Sequence, residues 1–194
     1  MLRVLKPTGA YYIFHSDSEG LNFRSALVEA GGVVKQNLIW VKNALVLGRQ
    51  DYQWKHEPCL SGWGAGHYFT KDRTQTTVFE DKADLDKLSK EELKEMVKEL
   101  LEDKIPTTII HEDKPLKNDV HPTMKPIRLI SRLIVNSSQK GENVIDFFGG
   151  SGSTLISCEQ LGRNCYTIEL DPKYVDVIID RWETLTGKKA EKIQ

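Results

Sequence analysis

The chain has 194 residues, 39% hydrophobic and 28% charged, with 27 basic and 28 acidic side chains and a net charge of −1. This length suits one domain with at most an appended segment, and the near-average composition excludes collagen-like, mucin-like and disordered chains. No apolar run approaches the roughly 18 residues of a membrane span. Three scattered cysteines (Cys59, Cys158, Cys165) form neither a disulfide framework nor a metal box, and the balanced charge argues at first reading against a nucleic-acid partner.

The opening stretch, Met1 to Phe14, lacks the layout of a signal peptide, because Lys6, Pro7 and Gly9 interrupt its apolar residues. A reducing, cytoplasmic compartment is the expectation. Met1 to Gly9 reads as a helix end leading into a strand, Ala10 to His15, with Ser16 and Asp17 just past it. Two further strands, Asn37 to Lys42 and Trp54 to Leu60, flank a basic, polar turn holding Lys42, Asn43, Gly48 and Arg49. Trp40 and Trp54 are expected in the core. Ser61 to His67 reads as flexible and aromatic, and the polar run Lys71, Asp72, Arg73 and Thr74 follows. His56-Glu57-Pro58 has no second metal ligand nearby, so no metal site is expected.

Charge is uneven. Glu80 to Lys104 holds ten acids against six bases, which leaves the rest of the chain with a surplus of three positive charges. Inside this segment Ser89 and Glu92 form a capping box. Leu93, Met96, Val97, Leu100 and Leu101 then make one apolar stripe, and Ile105-Pro106 ends it. The expectation is a single domain, 1–194, with an acidic helical insertion over 80–104 whose outer face is solvated; an arm that contacts a partner or DNA is the alternative.

The last third reads as a βαβα unit. Pro126 suits the first position of a helix in which Ile127, Ile130 and Ile134 share a face, and Gln139-Lys140-Gly141 stops it. Asn143 to Phe148 is a short apolar strand that runs into Gly149-Gly150-Ser151-Gly152-Ser153-Thr154. A helix from Thr154 to Leu161 is closed by Gly162, and the strand Cys165 to Ile168 ends at Glu169. Asp171 and Pro172 open the final helix as cap and first residue. Val175, Ile178, Ile179 and Trp182 form its inner face, and Gly187 ends it.

A strand, a glycine-rich turn and a helix start place backbone N–H groups around a ligand. Glu169 lies 19 residues beyond Gly150, the spacing of a carboxylate that bonds ribose hydroxyls. A phosphate-binding loop needs a lysine before Ser153, where Gly152 stands. A dinucleotide fingerprint needs a small residue where Leu155 stands. Asp146, before the turn, would repel a pyrophosphate but pairs well with an amino group. An adenosyl ligand carrying an amino acid, S-adenosylmethionine, fits best.

His121-Pro122-Thr123-Met124-Lys125-Pro126, then a helix, then Asp146-Phe147-Phe148-Gly149-Gly150-Ser151-Gly152-Ser153-Thr154, strongly resembles the β-class amino DNA methyltransferases. The likeness is greatest to phage-type DNA modification methylases and covers nearly the whole chain. It implies an α/β, Rossmann-like S-adenosylmethionine-dependent methyltransferase fold with circularly permuted motif order. It also implies methyl transfer to an exocyclic amine of adenine or cytosine in double-stranded DNA. By resemblance, Asp146, Phe148, Gly149, Gly150, Ser151, Gly152 and Ser153 line the methionine and ribose end of the cofactor. Glu169 binds the ribose, and His121, Thr123 and Lys125 enclose the methionine moiety. Ser16 and Asp17 occupy another cofactor-side position. Arg49, Lys55, His56, Trp63 and Arg73 are candidates for contacts to phosphates or to a flipped base.

One family element is missing. The catalytic Asp/Asn/Ser-Pro-Pro-aromatic tetrapeptide, which holds the target amine and stacks on the base, occurs nowhere in the 194 residues. No catalytic residue is therefore assigned. In the family the tetrapeptide lies on a strand between the strand at 143–147 and the strand at 10–15, so the expectation is a C-terminal part of a methyltransferase with an incomplete central sheet. A complementary chain or a second copy would fill the gap. The alternative function is an inactive cofactor- or DNA-binding fragment. The small positive surplus outside 80–104 predicts weak, salt-sensitive DNA affinity.

Overall fold

The computed structural model describes residues 1–46, 49, 51–70, 77–80 and 124–193. The chain divides into two compact units, residues 2–114 and, with Met1, residues 115–194. Among the described residues no helix is long and apolar enough to cross a membrane.

The first unit is built on a four-stranded sheet. Strand β1 (Ala10–Phe14) pairs antiparallel with β3 (Trp54–Trp63), which pairs antiparallel with β2 (Gln36–Val46). A short β4 (Val78–Glu80) runs parallel to β2. Alternation puts Leu38 and Trp40 of β2 into the core, as expected for Trp40. Helix α1 (Gly20–Glu29) follows β1 and buries Leu27, while Leu21, Phe23 and Val28 stay exposed. Tyr11, Leu27 and Leu60 form a core cluster with Leu2, Leu5, Ile13 and Val34 packed against it.

Three expectations for this unit need correction. Ser61, Gly62 and Trp63 are the last residues of β3, paired with Tyr12, Tyr11 and Ala10, and are no flexible loop. Lys42 and Asn43 belong to β2 rather than to a turn; Lys42 Nζ pairs with Glu57 at 3.1 Å and lies 5.3 Å from the Trp40 ring centroid. Glu80 ends β4 instead of opening a helical insertion, and β4 forms an edge of the described sheet. The remainder of the acidic segment, 81–104, lies outside the described residues.

Gly62 is a packing requirement. Tyr11 Oη donates to Val33 O at 2.6 Å and accepts from Val33 N–H at 2.8 Å, and the phenol crosses Gly62 on the way, so a Cβ there would collide with Val33 O and Tyr11 Oη. Gly62→Val is expected to lower stability by about 3 kcal/mol through overpacking, read as a lower urea midpoint followed by tryptophan fluorescence. An unchanged midpoint would refute the crossing.

In the second unit α2 (Ile127–Ser137) is followed by β5 (Asn143–Asp146), α3 (Ser153–Leu161), β6 (Asn164–Thr167) and α4 (Pro172–Thr186). β5 and β6 are parallel and in register from Asn143↔Asn164 to Asp146↔Thr167. Ile145 and Tyr166 oppose each other on the exposed side of the pair. Pro126 stands one residue outside α2, at its cap, with ψ 137°. The buried stripe of α2 is Leu129, Leu133 and Ile134, not Ile127, Ile130 and Ile134. In α4 Ile178 is buried, while Ile179 turns outward. Asp171 caps α4 by accepting from Lys173 N–H, Pro172 begins it, and Gly187 ends it in the left-handed conformation, as expected. Arg163 ties two helix ends together. Nη2 and Nε donate to Ser138 O (2.7 Å) and Oγ (3.3 Å), and Nη1 donates to Leu161 O at 2.7 Å.

Among the described residues β1 has only β3, and β5 only β6, as a hydrogen-bonded neighbour. The described residues thus form one partial sheet in each unit, a mixed α/β arrangement with a partial sheet as expected from the sequence.

Candidate cofactor site

The site is built where β5 gives way to α3. β5 ends at Asp146, whose Oδ1 accepts Phe148 N–H at 3.0 Å and whose Oδ2 accepts the Thr154 hydroxyl at 2.6 Å. One carboxylate thus ties the start of the loop to the first turn of the next helix. The loop between them folds tightly: Gly152 N–H donates to Gly149 O at 2.8 Å, and Gly149 N–H to Ile168 O at 2.9 Å. Gly150 and Gly152 sit at φ 53° and 82°, a region that costs other residues roughly 1–2 kcal/mol.

Glu169 frames the loop from the next strand. Its Oε2 accepts Gly150 N–H at 2.6 Å, and its Oε1 accepts Leu170 N–H at 2.9 Å and Asp171 N–H at 3.0 Å. Three backbone donors fix this carboxylate at the loop mouth. Beside it Phe148 and Leu170 are 88% and 96% exposed, an open apolar flank next to two acids. Thr167 Oγ1 is buried without a hydrogen-bond partner, close to the space a side chain at Gly149 would enter.

The back of the loop rests on α4. A Cβ on Gly149 would lie 3.0 Å from Ile178 Cδ1, and one on Gly152 3.2 Å from Ile178 Cγ1. One turn further along α4, Arg181 Nη1 donates to Ser151 O and reaches Met124 Sδ at 3.8 Å. Burial lowers the Arg181 pKa from its ordinary value, yet a guanidinium stays charged across the physiological range. The segment entering α2 is bound to the same loop: Ser153 Oγ–H donates to Lys125 O at 2.9 Å, and Ser157 Oγ–H to Ile127 O at 3.2 Å. On α3 and β6, Cys158 and Cys165 form a hydrogen-bonded thiol pair. This bond draws Cys158 below its ordinary pKa, against burial, and together with burial holds Cys165 protonated well above the usual thiol range.

The structure therefore brings together Asp146, Phe148, Gly149, Gly150, Ser151, Gly152, Ser153 and Glu169, with the Lys125 backbone bonded to them. His121 and Thr123 lie outside the described residues, as does Arg73. Ser16 and Asp17 belong to the other unit. There Ser16 Oγ bonds Ser18 Oγ at 2.6 Å, and Asp17 opens a short 3₁₀ turn. Of the DNA candidates, Arg49 and Lys55 are exposed. His56 is half-buried, edge-on to Trp54 at 5.5 Å between centroids. Trp63 stacks on His67 at 3.9 Å, with Lys35 Nζ 5.8 Å from its ring. Sequence reasoning missed Thr154, Leu170 and Arg181. Only Arg181 had a signal, a cation three residues after Ile178 on a helix face that otherwise reads as apolar.

The family model described as DNA methylase, the N6/N4 methyltransferases, matches residues 1–180. The chain belongs to this family. The type II methyltransferase M.BglI of Bacillus subtilis is 40% identical over 81 residues, 40% of this chain and 23% of that protein. M2.MboI of Moraxella bovis is 39% identical over 66 residues, 34% of this chain and 24% of that protein. These matched stretches span about a quarter of the length of each relative. Among solved structures, the M1.HpyAVI–SAM complex superposes with a TM-score of 0.67 at 24% identity, covering 93% of this chain and 78% of that one. The cytosine-N4-specific PvuII DNA methyltransferase does so at 0.60 and 18% identity, covering 92% and 65%. The chain therefore has the Rossmann-like α/β fold of the S-adenosylmethionine-dependent methyltransferases.

Proposed function

We propose that this chain is the S-adenosylmethionine-binding part of a DNA methyltransferase that acts on the exocyclic amine of adenine or cytosine. The observation that carries the reading is the pair of carboxylates framing the glycine loop: Asp146 anchored to Phe148 N–H and Thr154, and Glu169 anchored to Gly150, Leu170 and Asp171 N–H. Two fixed anions suit a ligand with ribose hydroxyls at one end and an ammonium at the other, and they disfavour a polyphosphate. The exposed Phe148 and Leu170 offer apolar surface for an adenine ring, and the orphaned Thr167 hydroxyl adds a polar group beside Gly149. These residues fit the cofactor.

When bound, S-adenosylmethionine supplies a methyl group activated by its sulfonium. This chain's own part is to bind and orient. Glu169 receives the ribose hydroxyls, and Asp146 receives the ammonium. The segment of His121, Thr123 and Lys125 takes the carboxylate end. Arg49 and Lys55, both exposed, meet DNA phosphates, with His56, Trp63 and Arg73 alongside. A complementary chain supplies the amine-holding tetrapeptide that the 194 residues do not contain, and that chain or a second copy fills the missing strand.

Isothermal titration of the chain with S-adenosylmethionine is expected to show one site, while incubation with DNA and labelled cofactor gives no methyl transfer by this chain alone. Absence of binding would sink the cofactor assignment. Robust turnover would show that another group in this chain holds the amine.

A further inference from the structure

We infer that Arg181 is the positioning residue that locks the cofactor loop and the 124–126 segment into one arrangement from behind. The inference rests on the cofactor reading above. Arg181 touches neither carboxylate. Its guanidinium instead donates to Ser151 O, at the tip of the loop, and to Met124 Sδ, in the segment before α2. The Ser151–Gly152 peptide is thereby held at both ends, its carbonyl by Arg181 and its N–H by Gly149 O. With this peptide fixed, the loop cannot rotate about Gly150 and Gly152, which at positive φ are the positions of greatest backbone freedom.

Of the groups Arg181 holds, Met124 adjoins Lys125, which the proposed function puts at the carboxylate end of the ligand, whereas the ribose side is set by Glu169 and the three N–H groups it accepts. Loss of the guanidinium therefore disturbs one end of the ligand more than the other. A uniformly structural residue would disturb both. The Arg181 stem lines a groove of 390 Å³ with Ile127, Ile156, Asp180 and Thr184. Truncating the side chain leaves an open path by which a small cation can enter and take the place of the head group.

The test uses the full chain, with Arg181→Met to keep the stem and Arg181→Ala to open the groove. By calorimetry, Arg181→Met is expected to bind S-adenosylmethionine about tenfold more weakly and adenosine within about twofold of the parent, the loss of one charge-assisted hydrogen bond. Guanidinium chloride, well below denaturing concentrations, is expected to restore S-adenosylmethionine binding to Arg181→Ala and to leave the parent unchanged. Amide exchange at Gly150 and Gly152 is expected to quicken in Arg181→Met at an unchanged urea midpoint. Equal losses for the two ligands, unchanged S-adenosylmethionine affinity, or failure of guanidinium rescue would overturn the positioning role. If the parent chain binds neither ligand, the cofactor reading fails, and the exchange measurement still decides whether Arg181 holds the loop.

Discussion

Replacing Glu169 with alanine is expected to weaken S-adenosylmethionine binding by about two orders of magnitude, close to 3 kcal/mol, since hydrogen bonds to an ionised carboxylate contribute about 1.5–3 kcal/mol. The effect has two parts. The substitution removes the proposed acceptor for the ribose hydroxyls. It also releases Gly150, Leu170 and Asp171 N–H, so the loop loses its brace to the next strand. Glu169→Gln separates the parts: it keeps one carbonyl acceptor but presents an amide NH₂ to backbone donors, and it should lie between the parent and the alanine variant. Asp146→Ala acts at the other end, where Phe148 N–H and the Thr154 hydroxyl lose their acceptor. The measurement is calorimetric affinity for the parent, each single variant and the double. Unchanged affinity in the double variant would remove both carboxylates from the site.

Gly152→Val is expected to destabilise the second unit by about 3 kcal/mol or more and to abolish cofactor binding. A β-branched residue at φ 82° is a severe backbone outlier, and its Cβ meets Ile178 Cγ1 at 3.2 Å and Cγ2 at 3.4 Å. Gly187 supplies the control. It sits at φ 69° as the α4 cap with nothing near a Cβ, so Gly187→Val carries the backbone cost alone. The difference between the two urea midpoints isolates the pressure of α4 on the loop. Equal midpoints would mean that Ile178 yields freely and does not support the loop.

The parts of the site legible in the sequence were those in which adjacent residues carry the structure. Asp146 through Ser153 is a strand, a turn and a helix start in one run, and Asp171-Pro172 and Gly187 mark helix ends by local chemistry alone. The Glu169 position followed from the length of one crossover. What escaped depends on residues distant in sequence. In α2 the sets Ile127/Ile130/Ile134 and Leu129/Leu133/Ile134 both satisfy helical spacing, and only packing against α3 selects the second. α1 escaped because Leu21, Phe23 and Val28 are exposed and only Leu27 is buried, so its apolar residues make no single stripe. β4 has three residues, too few for alternation to register, and it exists because β2 offers an open parallel edge. Ser61 to Trp63 has a glycine in its middle and reads as a break until Tyr11 is laid across it. Arg181 stayed hidden because its partner is a backbone carbonyl thirty residues away.

Arg163 has a further electrostatic consequence. α2 and α3 begin beside each other, joined through Lys125 O and Ile127 O, and finish beside each other at Arg163. They run in the same direction, so their macrodipoles lie side by side and repel. At the trailing ends one fixed cation neutralises both sets of carbonyls. At the leading ends two partial positive charges converge on the Lys125–Ser153 junction, where an anion interacts with each by about 0.3–1 kcal/mol. If the carboxylate of the proposed cofactor enters there, it completes at one end of the helix pair the compensation that Arg163 provides at the other, and cofactor binding is then expected to raise the thermal resistance of this unit.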